Sequence, residues 1–297
     1  MLANITAIIL TNNEEKHLER CINSLSKIIT KIVVIDSFST DNTLQILKKY
    51  NIEFYQKEWI NYSSQLNWGI EKAQVKTDWI LRIDPDEIPS KNFTHNIKNY
   101  LDKLPINVSG ISITRRFIFL EKEIKFGGDF PQMDVRIWRN GKGKCENTWS
   151  DEHMIIDGLI ENSNLDIIDN NINNITWWTD KHNRFAIREM IEFFSQKERV
   201  KENNHFKLSK KTKTMKNIKF KIYYRFPMFL RALVFFIYKY FLRLGFLSGW
   251  QGFIWCFLQS FWYRILVDIK ILEINNIMKK NNFTFKEAVK KEYGVEI

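Results

Sequence analysis

The chain has 297 residues, 44% hydrophobic and 27% charged, which excludes a wholly disordered or collagen-like polymer and is enough for one large domain or two small ones. Lysine and arginine outnumber the acids by 45 to 34, and the whole excess has one address: Lys207 to Phe246 holds eleven basic residues and no acidic one. The cysteines Cys21, Cys145 and Cys256 are far apart, without metal or redox spacing, so a reducing compartment is expected and a disulfide scaffold is not. The opening MLANITAIIL has no basic segment and too short an apolar run for a signal peptide, which places the expected protein in the cytoplasm.

Ile5–Leu10 reads as a buried strand, followed by the polar Asn12-Asn13 and a helix over Glu14–Ser26. Lys31–Asp36 repeats the strand signature, and Thr40 or Asp41 can cap a helix to Tyr50. Ile52–Gln56 is a third strand, Asn61 caps a helix to Ala73, and Asp78–Ile83 is a fourth strand ending in acid. A helix from Ser90 to Leu104, β-like stretches over Gly110–Leu120 and Met133–Arg139, and a mixed Gly141–Asp157 follow. Asn162–Asn174 reads as loop or strand edge, and Asp180–Val200 as a charged amphipathic helix. Strands alternating with helices predict an α/β domain with a mostly parallel sheet, whose ligands lie at the carboxyl ends of the strands. Asn12–Glu14, Asp36–Asp41 and Asp84–Glu87 all fall at such ends.

In extended chain, residues i and i+2 point the same way, and Pro85 biases Asp84 toward extended backbone. Asp84 and Asp86 can therefore present two carboxylates to one side, a donor set for Mg²⁺ or Mn²⁺ held together with substrate phosphates; the competing reading is a solvated acidic turn. The order TNNEE (Thr11–Glu15), IDSFSTDNT (Ile35–Thr43), Gln65-Leu66-Asn67 and DWILRIDPDE (Asp78–Glu87) resembles the inverting family 2 glycosyltransferases of the GT-A fold, over about the first 200 residues. The resemblance implies a nucleobase and ribose site at Thr11, Asn12, Glu14 and Asp36, supported by Asp41. It also implies ribose and metal binding at Asp84 and Asp86, with Glu87 as the extra acid of a D-x-D-E variant. Pro85 stands where a small residue is more usual. Gln65 and Asn67 are either site residues or helix-face polars.

A transferase also needs a base for the acceptor hydroxyl. Related enzymes carry an E-D or H-E pair in the segment that resembles WSDEHM (Trp149–Met154), which puts Glu152 at the base with Asp151 as the alternative; the D-E pair here departs from both patterns. Trp149 is either a sugar platform or a core aromatic, and Arg136 and Arg139 either pair with phosphate or line an exposed strand. Lys181–Arg184 reads as a solvated helix start rather than a phosphate clamp.

The tail from Phe220 to Tyr263 holds eighteen of the 43 aromatic residues. A helix from Pro227 to Leu244 would place Arg231, Lys239 and Arg243 in one basic stripe among Leu230, Leu233, Phe236, Ile237 and Phe241, the pattern of a helix lying in a membrane interface, with Lys207–Lys221 drawn to anionic lipid. Leu244–Tyr263 has no charge, but its three glycines, two glutamines and two serines favour an in-plane or re-entrant segment over a crossing; the competing reading is an oligomer interface or a buried core helix. The reading is a GT-A catalytic domain over 1–205 and a helical membrane-associating region over 206–297. It expects a metal-dependent enzyme using a nucleotide-diphosphate sugar and a glycan or lipid-linked acceptor, in lipopolysaccharide or capsule synthesis. Its place would be peripheral or monotopic on the inner face of the cell membrane. The rival classes are a nucleic-acid-binding protein, which would explain the tail but leave the strand-end acids idle, and a non-catalytic sugar-nucleotide binder; nucleic acid is not an expected partner.

Overall fold

The computed structural model describes residues 2–128, 130–198, 218–219 and 223–297. β1 (Ala3–Thr11) is buried at all but one position, so its Ile-rich run suits the middle of a sheet covered on both faces. β2 (Ile29–Asp36) and β4 (Trp79–Arg82) flank it in parallel, and β3 (Glu53–Gln56) lies parallel beyond β2. β8 (Gln132–Arg139) runs antiparallel between β4 and β6 (Val108–Phe119). β11 (Leu159–Asp169) then pairs in parallel with β6 and antiparallel with the short β5 (Glu87–Pro89). The order is β3-β2-β1-β4-β8-β6-β11-β5, with β7 (Lys122–Glu123) folded back on β6 and a separate β9 (Gly143–Cys145) and β10 (Met154–Ile156) hairpin.

This is the α/β architecture expected, with the sheet parallel over β3-β2-β1-β4 and helices packed on both faces. Of the asparagine-rich segment, residues 170–174 are loop as expected, but 162–169 are no edge: β11 lies between β6 and β5, because Ser163, Leu165 and Ile167 alternate inward beneath a polar composition. Its last residue, Asp169, pairs with Glu87, which carries a third acid to the DPDE turn.

Helices α1 (Leu18–Leu25) and α4 (Lys91–Asp102) help build the core on one face, and α3 (Tyr62–Lys72) that on the other. α3 approaches β2 so closely that a Cβ on Gly69 would lie 2.5 Å from Ile35. Asn61 and Ser90 cap α3 and α4 by accepting from the backbone N–H groups of Ser64 and Phe93. At α2 (Thr43–Lys49) the cap position is Asn42, but the Asp41 carboxylate accepts from Thr43 N–H at 2.9 Å.

α5 (Ile175–Glu198) starts earlier than its charge pattern suggested. The tail comprises α6 (Leu230–Ile237) with a π-helical turn to Leu242, a 3₁₀ turn (Gly245–Ser248), and α7 (Gly249–Cys256) with a π-helical turn to Trp262. α8 (Tyr263–Asn281) and α9 (Phe285–Tyr293) complete it. Ala186, Met190 and Ile191 of α5 share one core with Val267, Ile271 and Ile274 of α8 and with Phe285 and Val289 of α9. The expected boundary at residue 205 and most of Lys207–Lys221 lie outside the described residues.

The expected basic stripe is not on the surface. Arg231 and Lys239 are buried, and only Arg243 of the three is exposed. Arg231 turns inward because Asp268, 37 residues later on α8, receives its guanidinium at Oδ1 and Oδ2 and also accepts from Phe229 N–H. Among the described residues no helix is long and apolar enough to cross a membrane.

Candidate active site

Two loops at the carboxyl ends of β1 and β2 are knitted into one surface. Thr11 and Asp36 are register partners, and Thr11 Oγ1 donates to Asp36 Oδ1 at 2.9 Å. Asp36, fully buried, also accepts from Ser39 Oγ, from Ser39 N–H at 2.9 Å and from Gln56 Nε2 at 3.0 Å. Asn12 is exposed and donates to the Ser37 carbonyl at 2.9 Å. Asp41 accepts from Glu15 N–H at 3.0 Å. Gln65 is buried and donates to Ser37 Oγ, while Asn67 bonds the backbone of Cys145 in both directions, holding α3 to β9.

Glu14 points the other way, toward the DPDE turn. Burial raises its carboxyl above the usual range, against a 2.8 Å hydrogen bond from His17 Nδ1, and the Asp86 charge raises it further. The fully buried His17 accepts at Nε2 from Ile172 N–H, so its proton is on Nδ1 and it bridges the first loop to the segment after β11.

Asp84 and Asp86 have different surroundings. Asp84 accepts from Tyr62 OH at 3.2 Å, and its Oδ2 lies 3.5 Å from Arg136 Nη1. Although burial works the other way, Arg136, Arg82, Arg115 and Lys181 hold Asp84 below the usual carboxylate range. Asp86 Oδ2 accepts from Asn171 Nδ2 at 2.8 Å and lies 3.9 Å from Lys181 Nζ. Glu87 takes a bidentate pair from Arg136 at 2.8 and 3.1 Å and bonds Asp84 N–H at 2.9 Å, so it clamps the turn from below. Arg136 is thereby engaged in the core, and Arg139 bonds the Val108 carbonyl and stacks on Trp79, so neither is placed for the phosphate contact considered from sequence.

Asp169 was missed in the sequence. Its carboxyl is pushed up to about 8, by burial first and by Asp86 next, and Arg115 Nε lies 4.0 Å away. The structure thus gathers Glu14, Asp84, Asp86 and Asp169, with Lys181 as the nearby cation. The detectable signal was inward alternation ending in Asp169; the asparagine-rich composition hid it. Lys181 was also misread, since it reaches Asp86 from α5, and its neighbour His182 stacks on Trp178 at 3.5 Å.

The two candidate bases are also separated. Asp151, in left-handed backbone, forms a 2.5 Å ion pair with Lys219 of the tail. Lys219 in turn meets Glu189, which also accepts from Arg264, Tyr263 and Tyr224. Glu152 is half-buried, and burial pushes its carboxyl up to about 7, with the neighbouring Asp151 raising it and Arg82 and Arg188 opposing. Arg82 acts on both Asp84 and Glu152, linking the two acidic groups. Trp149 packs partly against the α5–α8 core.

The region thus combines strand-end acids with clamped loops, and the Glu152 carboxyl is raised to about 7. Residues 6–143 match the family described as Glycosyl transferase family 2. The chain is 38% identical over 176 residues to the SPbeta prophage-derived glycosyltransferase SunS of Bacillus subtilis, covering 48% of this chain and 41% of that one. It is 26% identical over 166 residues to the lipopolysaccharide core biosynthesis glycosyltransferase LpsC of Rhizobium meliloti, covering 54% and 58%. An uncharacterized glycosyltransferase of Rickettsia bellii is 38% identical over 94 residues, covering 32% and 31%, so the chain spans well under two thirds of each of these relatives. Among solved structures, Staphylococcus aureus TarS is 16% identical with TM-score 0.43, covering 74% of this chain and 43% of that one. Glucosyl-3-phosphoglycerate synthase of Mycobacterium tuberculosis with Mn²⁺ and UDP-glucose is 21% identical with TM-score 0.33, covering 38% and 43%.

Proposed function

We propose that this protein is a metal-dependent, inverting glycosyltransferase that moves a sugar from a nucleotide diphosphate to a hydroxyl of a lipid-linked or surface glycan, in lipopolysaccharide or capsule synthesis. The observation that carries the reading is the meeting of Glu14, Asp84, Asp86 and Asp169 at the strand ends, near a Glu152 raised to about 7. Thr11, Asn12 and Asp36 would shape the nucleoside side of the site, with Asp36 fixing the loop through its four hydrogen bonds, while Glu14 faces the DPDE turn.

Asp84 and Asp86, with Asp169 beside them, would hold Mg²⁺ or Mn²⁺. The fit is chemical: these are hard oxygen donors, and Asp86 already raises both Glu14 and Asp169, a crowding of negative charge that a cation relieves. When bound, the ion supplies charge neutralisation for the departing diphosphate. Among the described residues no group of three His, Cys, Asp or Glu closes around a metal.

Glu152 is the base of this reading. A carboxylate with its pKa near 7 accepts a proton from an acceptor hydroxyl better than one at its ordinary value, whereas Asp151 is neutralised by Lys219. The protein would work at the inner face of the cell membrane, where such acceptors are built. The test is a donor screen by nucleotide release with Mn²⁺ and with EDTA, followed by determination of the product's anomeric configuration. No release from any nucleotide sugar, or metal-independent transfer with retention, overturns it.

A further inference from the structure

The tail is inside out. Leu230, Leu233, Phe241, Leu242, Trp250 and Phe253 are exposed, while Arg231 and Lys239 of the same segment are buried. A helix facing water does the reverse, and an apolar patch on this scale marks a partner surface. The catalytic domain extends the patch. Leu120, in the β6–β7 turn, shares a surface recess with Lys122 and Trp250, and Phe126 just beyond is also exposed. The two parts are fixed together: Gly127 N–H donates to the Arg243 carbonyl at 2.9 Å, Phe126 N–H donates to Ser248 Oγ at 3.3 Å, and Trp255 packs on Phe117 and Phe119 of β6.

We propose that this face, formed by α6, α7 and the β6–β7 turn, is seated in the interfacial layer of an anionic bilayer and presents the active site to a lipid-linked acceptor held there. The acceptor half rests on the glycosyltransferase reading; the seating does not. Charge complementarity selects the occupant. The acid-free run from Lys207 to Phe246 carries the chain's entire excess of cations, although within it Arg231 and Lys239 are buried and Lys219 is paired with Asp151 and Glu189. Arg225, Arg243, Lys122 and Lys125 are exposed in the tail and around the β6–β7 turn, where the acids are Glu121 and Glu123, the latter 3.7 Å from Lys125. A second copy would cover apolar area but would set these cations against their own kind. An anionic surface attracts them, and Trp250 and Tyr238 suit the depth of lipid headgroups.

The full-length protein is sedimented with vesicles of phosphatidylcholine containing phosphatidylglycerol, at low salt and at about 1 M salt, where the screening length falls to about 3 Å. It should pellet at low salt and remain partly bound at high salt, because screening leaves apolar contact intact. Leu242→Glu with Trp250→Glu should lower partitioning by about tenfold or more, the worth of one large buried apolar side chain. Brominated lipid should quench wild-type tryptophan fluorescence, and less so in Trp250→Phe; this decides the question should the double variant fail to fold. Wild-type protein left in the supernatant, or quenching unchanged by Trp250→Phe, overturns the seating. So does a wild-type dimer in buffer that the double variant converts to monomer without either binding vesicles. Nucleotide release to a water-soluble acceptor should survive in the double variant. Vesicle binding without release from any donor leaves the seating and overturns the acceptor half.

Discussion

Asp268→Asn tests the inverted tail at its most demanding point. The wild-type carboxylate receives the Arg231 guanidinium through Nε at 3.0 and 3.2 Å and through Nη2, and accepts from Phe229 N–H at 2.9 Å. The two side chains are 2% and 1% exposed. Asparagine preserves shape and one acceptor but leaves a buried guanidinium without its counter-charge. Removing one partner of such a pair costs about 3–5 kcal/mol, whereas an exposed pair contributes at most about 1 kcal/mol. Urea titration followed by circular dichroism should show a loss in the larger range. Replacing both residues, Arg231→Met with Asp268→Leu, should recover most of it, because no charge is then stranded. A loss under about 1 kcal/mol for Asp268→Asn would mean that Arg231 reaches water, and the argument for an outward apolar face would fail with it.

Asp86→Asn should abolish transfer while the far-UV spectrum and melting curve persist, and EDTA should do the same to the wild type; full activity under either condition removes the metal assignment. Glu152→Gln should keep donor binding, measured calorimetrically, and lose turnover by about 10² or more. Because a base must be deprotonated, wild-type kcat/KM should rise with pH through about 7, and a profile flat across that range counts against Glu152. If Asp151→Asn is inactive and Glu152→Gln is not, the two roles exchange. A chain ending at residue 205 should aggregate or melt early, since it bares Ala186, Met190 and Ile191 where α8 and α9 now cover them; a cooperative melt at the full-length temperature would show that the first part folds alone.

Local signals carried much of the architecture. Apolar runs such as Ile5–Leu10 and Lys31–Asp36 sufficed for the first strands, because a strand buried on both faces has little alternative to β-branched residues. Asn61 and Ser90 located helix starts through chemistry that acts within three residues. The strand-end acids Glu14, Asp84 and Asp86 were legible because parallel α/β topology brings such ends together. What failed depended on distant partners. Asp169 entered the site through the pairing of β11 with β5, where its partner Glu87 lies 82 residues earlier in the chain, and Arg136 was drawn into the core because Glu87 claimed both ends of its guanidinium. The periodicity that grouped Arg231, Lys239 and Arg243 was real, but a helical stripe does not say which side faces out. Asp268 decided that: its buried carboxylate takes the Arg231 guanidinium, which turns that side of the helix inward and leaves Leu230, Leu233 and Phe241 outside.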